Sequence, residues 1–319
     1  MNPAKIFINE NGRLRSGWRF VVFMVALVLL SVVVGGTVGA ILIRLPVEFS
    51  QSGLLGFLAP QVILLTLAVF VGWLCGKVFE DLPFRALGAW FTKNWLKDFG
   101  LGFVIGAVAI GSAALILLAF GATVFQFNRD AGQTAIASTL AVSFGIFAFG
   151  AMAEAAFIRG YIFQTFTRAK LVLFAVLLTS LLFAAMHTDN PSANYLSFVN
   201  TLLAGVWFGA AYLKTRTLWL AFGIHLAWNW MQGAILGISV SGIASITTAP
   251  LLQATNVGSP LLTGGDYGVE GGIACTIAMI ISTLLIWFLP IFKPTEEMLA
   301  LTGAEKLLED GRQKSEIGR

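Results

Sequence analysis

The chain is short of charge. Of its 319 residues, Asp, Glu, Lys and Arg together make up 11%, under half of the ~25% usual in soluble domains. A soluble fold of this length needs far more polar surface, so an ordinary globular domain is excluded. The basic residues form no stripe and do not interleave with aromatics, which argues against nucleic-acid binding despite a net charge of +4. Cysteine is scarce too. Cys75 and Cys275 fall in apolar segments expected near opposite faces of a membrane, and a disulfide needs Cα atoms within about 7 Å. No disulfide is expected, and cysteine usage says nothing of the redox compartment. There is no Gly-x-Ser-x-Gly elbow, no His-Glu-x-x-His and no cysteine near a histidine motif, so serine, cysteine and zincin chemistries lack their usual signatures. No internal repeat, half-helix symmetry or low-complexity tract is present, which disfavours a transporter.

Apolar residues are abundant. They form 57% of the chain, and the mean hydropathy is +0.85. A spanning helix needs about 20 mostly apolar residues. The segments that qualify are Gly17–Ile43, Gly53–Gly76, Phe99–Phe120, Ile136–Thr165, Leu171–His187, Tyr195–Leu213, Leu218–Ile238 and Gly272–Phe292. The expected fold is therefore an all-α polytopic membrane protein with eight transmembrane helices. The fourth segment is over-long and must tilt or project; the fifth is marginal. The first is too long for a signal-peptide core of about 7–15 residues and reads as an uncleaved span. All but Arg44, Arg129 and Arg159 of the twenty basic residues fall on one side of this arrangement. By the positive-inside rule that side is cytoplasmic, with both the N- and the C-terminus on it.

This divides the chain into a transmembrane domain over 1–294, a long outer loop over 239–271 and a cytoplasmic tail over 295–319. The loop is rich in Gly, Ser and Thr and has no basic residue. A lid or a partner surface are alternatives for it, but loops of this length are often disordered, and plain linker is the default. The tail reads as an amphipathic helix from Glu296 to Leu308, with Met298, Leu299, Leu301, Leu307 and Leu308 apolar, lying at the inner surface.

Ionisable groups in hydrocarbon are expensive and mark function by default. Glu154 is expected to be the only carboxylate at membrane depth and Arg159 the only buried arginine. The two histidines, His187 and His225, lie in further apolar segments, and Asn229 follows His225 by one helical turn. On an α-helix Glu154 and Arg159 are about 140° apart and cannot pair within one face; each needs a partner elsewhere, and Asp189 is a candidate for Arg159. Each feature alone is explained as interhelical glue. Together they suit peptide hydrolysis. A carboxylate in an apolar site is tuned toward general-base work on water, a neutral histidine orients that water or shuttles a proton, and His225 with Asn229 offers two donors to an oxyanion. Glu154, His187 and His225 are also three candidate ligands for zinc or another divalent metal, although zinc would take the best base out of play. No cofactor is otherwise implied.

The three motifs, Glu154-Ala155-x-x-x-Arg159-Gly160, Phe183-x-x-x-His187 and His225-x-x-x-Asn229, resemble those of the CPBP family of intramembrane proteases, the type II CAAX prenyl proteases and bacteriocin-processing enzymes. The likeness covers about 136–235. It implies an intramembrane endopeptidase in which Glu154 and His187 activate water, His225 and Asn229 hold the oxyanion and Arg159 braces the site. The family is often described as metalloproteases. The expected substrate is a membrane-associated peptide or protein, prenylated CAAX-type or bacteriocin-like, and the expected location a bacterial plasma membrane, with no nucleic-acid partner and no oligomeric state implied. Where the family carries a second Glu, this chain has Ala155. That Glu would face Arg159 at i+4, so its absence removes a support for the arginine. The alternative is a non-proteolytic scaffold or bacteriocin-immunity protein that keeps the fold.

Overall fold

The computed structural model describes residues 4–44 and 54–303. In chain order its main elements are α1 (Ser16–Leu42), α2 (Leu54–Glu80), α3 (Trp95–Ala119) and strand β1 (Thr123–Phe127). Then follow α4 (Gln133–Arg168), α5 (Val172–Ala185), α6 (Tyr195–Thr215) and α7 (Trp219–Trp230). Strand β2 (Leu252–Asn256), α8 (Ile273–Phe288) and α9 (Glu296–Thr302) complete the described chain.

Helices α1, α2, α3, α4 and α6 are long and apolar enough to cross a membrane. Helices α5 and α8 are apolar but have 14 and 16 residues, about 21 and 24 Å at 1.5 Å per residue, short of a hydrocarbon core of about 30 Å. Among the described residues five helices, rather than the eight expected, thus meet the length criterion. The apolar runs are real, but turns and non-α backbone consume their ends. Helix α4 goes the other way: its 36 residues extend about 54 Å, as its over-long run implied. The fold is mostly helical, as expected, with one two-stranded sheet added. Strands β1 and β2 pair antiparallel, from Thr123 opposite Asn256 to Phe127 opposite Leu252.

Large apolar side chains of α1, among them Val25, Leu29, Val32 and Val33, are exposed. They are the surface that lipid covers, because a bilayer removes the usual reason to bury them. The interior instead gathers aromatics and small residues: Phe23, Phe157, Tyr161, Trp207, Tyr212 and Trp228 are all buried. The tightest contact is between α3 and α7. A Cβ added to Gly102, Gly106 or Gly223 would overlap a backbone carbonyl of the other helix. Small residues spaced four apart let two helical backbones touch, and this contact fixes the height of α7 and all it carries.

Arg159 is not the only buried arginine, nor Glu154 the only buried carboxylate. Arg19, Glu80 and Arg168 are also buried. Glu80 Oε1 lies 2.9 Å from Arg19 Nη1, and Arg168 clasps Glu80 through Nε at 2.8 Å and Nη2 at 2.9 Å. Their positions at helix ends made them look like loop charges. The ends of α2 and α4 meet inside the protein, where the one carboxylate is shared by two guanidiniums.

The tail begins as expected. Thr295 caps α9 through Met298 N at 3.2 Å, Met298 is fully buried, and Glu297 pairs with Arg85 at 3.0 Å. Leu307 and Leu308 lie outside the described residues, as do the last residues of the 295–319 tail and Gly53.

Two outcomes are expected in detergent unfolding experiments. Replacing Glu80 by Gln leaves two buried guanidiniums without their counter-charge and lowers stability by about 3–5 kcal/mol. Gly223→Ala forces α3 and α7 apart and costs about 1–3 kcal/mol, whereas Gly111→Ala, where the added methyl meets open space, leaves stability intact.

Candidate active site

The site starts with a change of helical winding. Helix α4 is α-helical from Gln133 to Glu154, π-helical from Ala155 to Ile162, and α-helical again from Phe163 to Arg168, with a kink at Gly160. A π-helix bonds i to i+5, so residues five apart come one above the other. This narrows the α-helical separation of about 140° between Glu154 and Arg159, yet the two side chains enter different surroundings: Glu154 lines a cavity and Arg159 lies on Phe183 and Phe208. The charges of Glu154 and Arg159 act on one another, although no ion pair forms between them among the described residues.

Arg159 is braced by aromatics. Its guanidinium carbon sits 4.7 Å from the centre of the Phe183 ring and 5.0 Å from that of Phe208, and Nη2 donates to the Gly205 carbonyl at 3.4 Å. Stacking of this kind suits the weakly hydrated guanidinium plane. Asp189 is exposed, and no ion pair joins it to Arg159 among the described residues, so the expected brace is replaced by this aromatic one.

The histidines arrive from two helices. Helix α5 ends at Ala185, and His187 follows in a turn with Nδ1 2.8 Å from the Phe183 carbonyl. A carbonyl only accepts, so Nδ1 carries the proton and Nε2 of the neutral ring is left as an acceptor. His225 lies in the middle of α7, stacked on Phe208 with ring centres 4.8 Å apart. Sequence depth alone put the two histidines at different levels. In the structure both line one cavity.

Glu154 Oε2 lies 3.8 Å from His225 Nε2. That oxygen is buried and has no hydrogen-bond partner among the described residues. Glu154, His187, His225 and Asn229 all line one cavity of about 240 Å³. Arg159 does not line it; it stands behind Phe183 and Phe208. The structure thus brings four of the five sequence-derived residues to one wall and sets the fifth behind them.

One ionisable cavity residue, Glu270, escaped the sequence. The 239–271 segment is folded, not a plain linker. It supplies β2 and three short helices, and Asn200 of α6 holds its end by donating Nδ2 to the carbonyls of Glu270 at 2.8 Å and Gly272 at 3.0 Å. The turn before Glu270 needs glycine: Gly268 has φ +97°, and any side chain there would strike the Ser239 carbonyl. Glu270 is buried and lines the same cavity as Glu154. Its Oε1 accepts from Trp228 Nε1 at 3.3 Å; its Oε2 accepts from Ser241 N at 2.5 Å and Ser241 Oγ at 2.9 Å. Burial pushes its pKa up, and the Ser241 donors pull the other way. The one sequence signal was an acid set among glycines ahead of the last apolar run.

A metal fits this arrangement poorly. Among the described residues no group of three His, Cys, Asp or Glu side chains is placed to hold one, against the three ligands a catalytic zinc needs. No step below is routed through a metal.

Five helices that meet the membrane criterion point to the class, an integral membrane protein, and a polar cavity with an acid and two imidazoles lies inside it. Residues 136–231 match the family model described as type II CAAX prenyl endopeptidase, Rce1-like. The family recognition that rested on the three motifs holds for this segment, which carries Glu154, Arg159, His187, His225 and Asn229. No curated protein and no solved structure matches the chain.

The brace on Arg159 is open to test. Arg159→Lys keeps the charge but loses the planar stack, and is expected to lower stability by about 1–2 kcal/mol. Asp189→Asn is expected to change it by less than about 0.5 kcal/mol. Thermal unfolding of the two purified variants in one detergent reads both.

Proposed function

We propose that the protein is an intramembrane endopeptidase that hydrolyses a peptide bond of a membrane-associated substrate, prenylated CAAX-type or bacteriocin-like, by a Glu/His-activated water. The observation that carries this reading is the Glu154 carboxylate, unbonded at Oε2 and 3.8 Å from His225 Nε2, on the wall of a polar cavity inside an apolar bundle. A water about 2.8 Å from Glu154 Oε2 donates a hydrogen bond to it, while the N–H of His225 Nε2 is kept for the oxyanion. Glu154 takes the water's proton as the water oxygen attacks the scissile carbonyl carbon. His225 and Asn229, one turn apart on α7, donate to the oxyanion that develops. The proton then passes to the departing amine, with the free Nε2 of His187 placed as a shuttle. Arg159 keeps the Phe183–Phe208 layer, and with it both imidazoles, in place.

The wider reading places eight membrane-crossing segments in a bacterial plasma membrane with both termini cytoplasmic, the shorter helices α5, α7 and α8 completing the set. The positive-inside pattern supports it.

Ala155 favours the second reading, a non-proteolytic scaffold or immunity protein. Against it, the arginine that the second Glu would hold is already held by Phe183, Phe208 and Gly205, so an intact Glu154 suffices. The readings separate on turnover of membrane peptides by the protein in proteoliposomes. Glu154→Gln and His225→Ala are each expected to lower kcat by about 10²–10⁴-fold, and Asn229→Ala by about 10²–10³-fold. Undiminished cleavage by Glu154→Gln would sink the mechanism, and full biological function in that variant would favour the scaffold.

A further inference from the structure

Glu270 stands outside the 136–231 segment that matches the family, yet it shares the cavity with Glu154, His187, His225 and Asn229. It does not replace the carboxylate missing at 155. Ala155 is buried and does not line the cavity, whereas Glu270 lies on the cavity wall itself. Its two oxygens face different parts of the fold. Oε1 takes the indole of Trp228, the residue before Asn229 on α7; Oε2 takes both donors of Ser241, near the start of the folded 239–271 segment. Neighbouring bonds serve the same junction: Gln232 Nε2 donates to the Ser239 carbonyl at 2.6 Å, and Asn200 holds the Glu270 and Gly272 carbonyls. Val240, Ser241, Ile243 and Ile246 line the cavity from this segment.

We propose that Glu270 is a positioning residue of the hydrolytic site. Its carboxylate clamps the 239–271 segment onto α7 as the roof of the cavity and, through Trp228, sets the face that carries His225 and Asn229. This rests on the hydrolytic reading above. A carboxylate suits the task because all three groups that meet it are donors, and an ionised carboxylate is acceptor-only. Glutamine has nearly the same shape but turns an NH₂ toward one of those donors. The roof also explains why this segment is folded rather than slack: water-excluding closure strengthens every electrostatic contact inside a site.

The test uses the full chain in proteoliposomes with a membrane peptide, the wild type and its Glu154→Gln variant defining specific turnover. Glu270→Gln is expected to lower kcat by about 10–100-fold, the scale of a 1 Å misplacement, with KM changed less than about 3-fold. Trp228→Phe acts in the same direction, and the double variant is no worse than the poorer single by more than about 3-fold, since both break one clamp. The roof is read without activity by labelling Ile243→Cys with a membrane-impermeant maleimide; the native thiols, Cys75 and Cys275, are buried. Labelling is expected to rise several-fold when Glu270→Gln is added. If Glu270→Gln does not fold, Ser241→Ala, which removes only the Oγ bond, is expected to give smaller changes of the same kind. Unchanged kcat, multiplying losses in the double variant, or unchanged labelling each overturns the proposal. A wild type that cleaves no peptide while labelling still responds to Glu270→Gln overturns the hydrolytic reading instead, and leaves the clamp standing.

Discussion

Moving a carboxylate from water into an apolar bundle costs several kcal/mol unless protein groups replace the lost water. Two carboxylates of this fold, Glu80 and Glu154, meet that constraint in opposite ways. At the end of α2, Glu80 is saturated: Arg168 grips both its oxygens and Arg19 adds a third contact. Nothing is left over for a ligand, and the cluster ties α1, α2 and α4 together. At the middle of α4, Glu154 is left short. Its Oε2 has no hydrogen-bond partner among the described residues, and the nearest imidazole nitrogen is 3.8 Å away. An acid held in that state gains most from a water or a substrate that completes its bonding. The first carboxylate spends its bonding capacity on structure; the second keeps part of it unused.

The under-satisfied state has to be enforced by neighbours that cannot relax toward it. The glycine contact between α3 and α7 fixes where His225 stands, because rigid backbones in contact cannot slide without overlap. The π-helical stretch after Glu154 turns Arg159 into the Phe183–Phe208 layer rather than the cavity. If Arg159 reached the carboxylate directly, it would make a second Glu80: paired, stable and inert. Single-turn π insertions recur at functional sites because they redirect one side chain without ending the helix. Here the redirected residue is a cation that helps the site from behind it.

The sequence carried the motifs and the apolar runs clearly, because each rests on local order: a histidine and an asparagine four apart share a face whatever surrounds them. Four of the five residues it named line one cavity, and the fifth supports that wall. What it missed was non-local or non-repeating. A π-helix has no sequence signature, so the change of winding after Glu154 was not legible, although the expectation that Glu154 and Arg159 each find partners on other helices holds. The burial of Arg19, Glu80 and Arg168 depends on three helix ends converging, and charges at helix ends look the same from sequence whether they face water or each other. The count of long helices fell short for a related reason. Hydropathy marks where a segment is apolar, but not where a turn such as the one before His187 cuts it.

The 239–271 segment is the sharpest case. Its composition, rich in Gly, Ser and Thr, is that of a linker, and composition fails here because the glycines are structural. Gly268 occupies a backbone region that other residues rarely adopt, hard against the Ser239 carbonyl, and the strand Leu252–Asn256 is held by a partner more than a hundred residues earlier. Such a segment buys its order from distant contacts, not from its own propensity, and no short window of sequence records that. Its folding has a chemical consequence. A hydrolytic cavity in a bilayer must admit one water yet exclude bulk solvent and lipid, and helices alone leave its mouth open. The proposed roof is hydrogen-bonded loop: Asn200 answers the Glu270 and Gly272 carbonyls, Gln232 answers that of Ser239, and backbone N–H groups answer those of Tyr267, Gly268 and Val269, so it can cover the cavity without exposing this backbone to an apolar site.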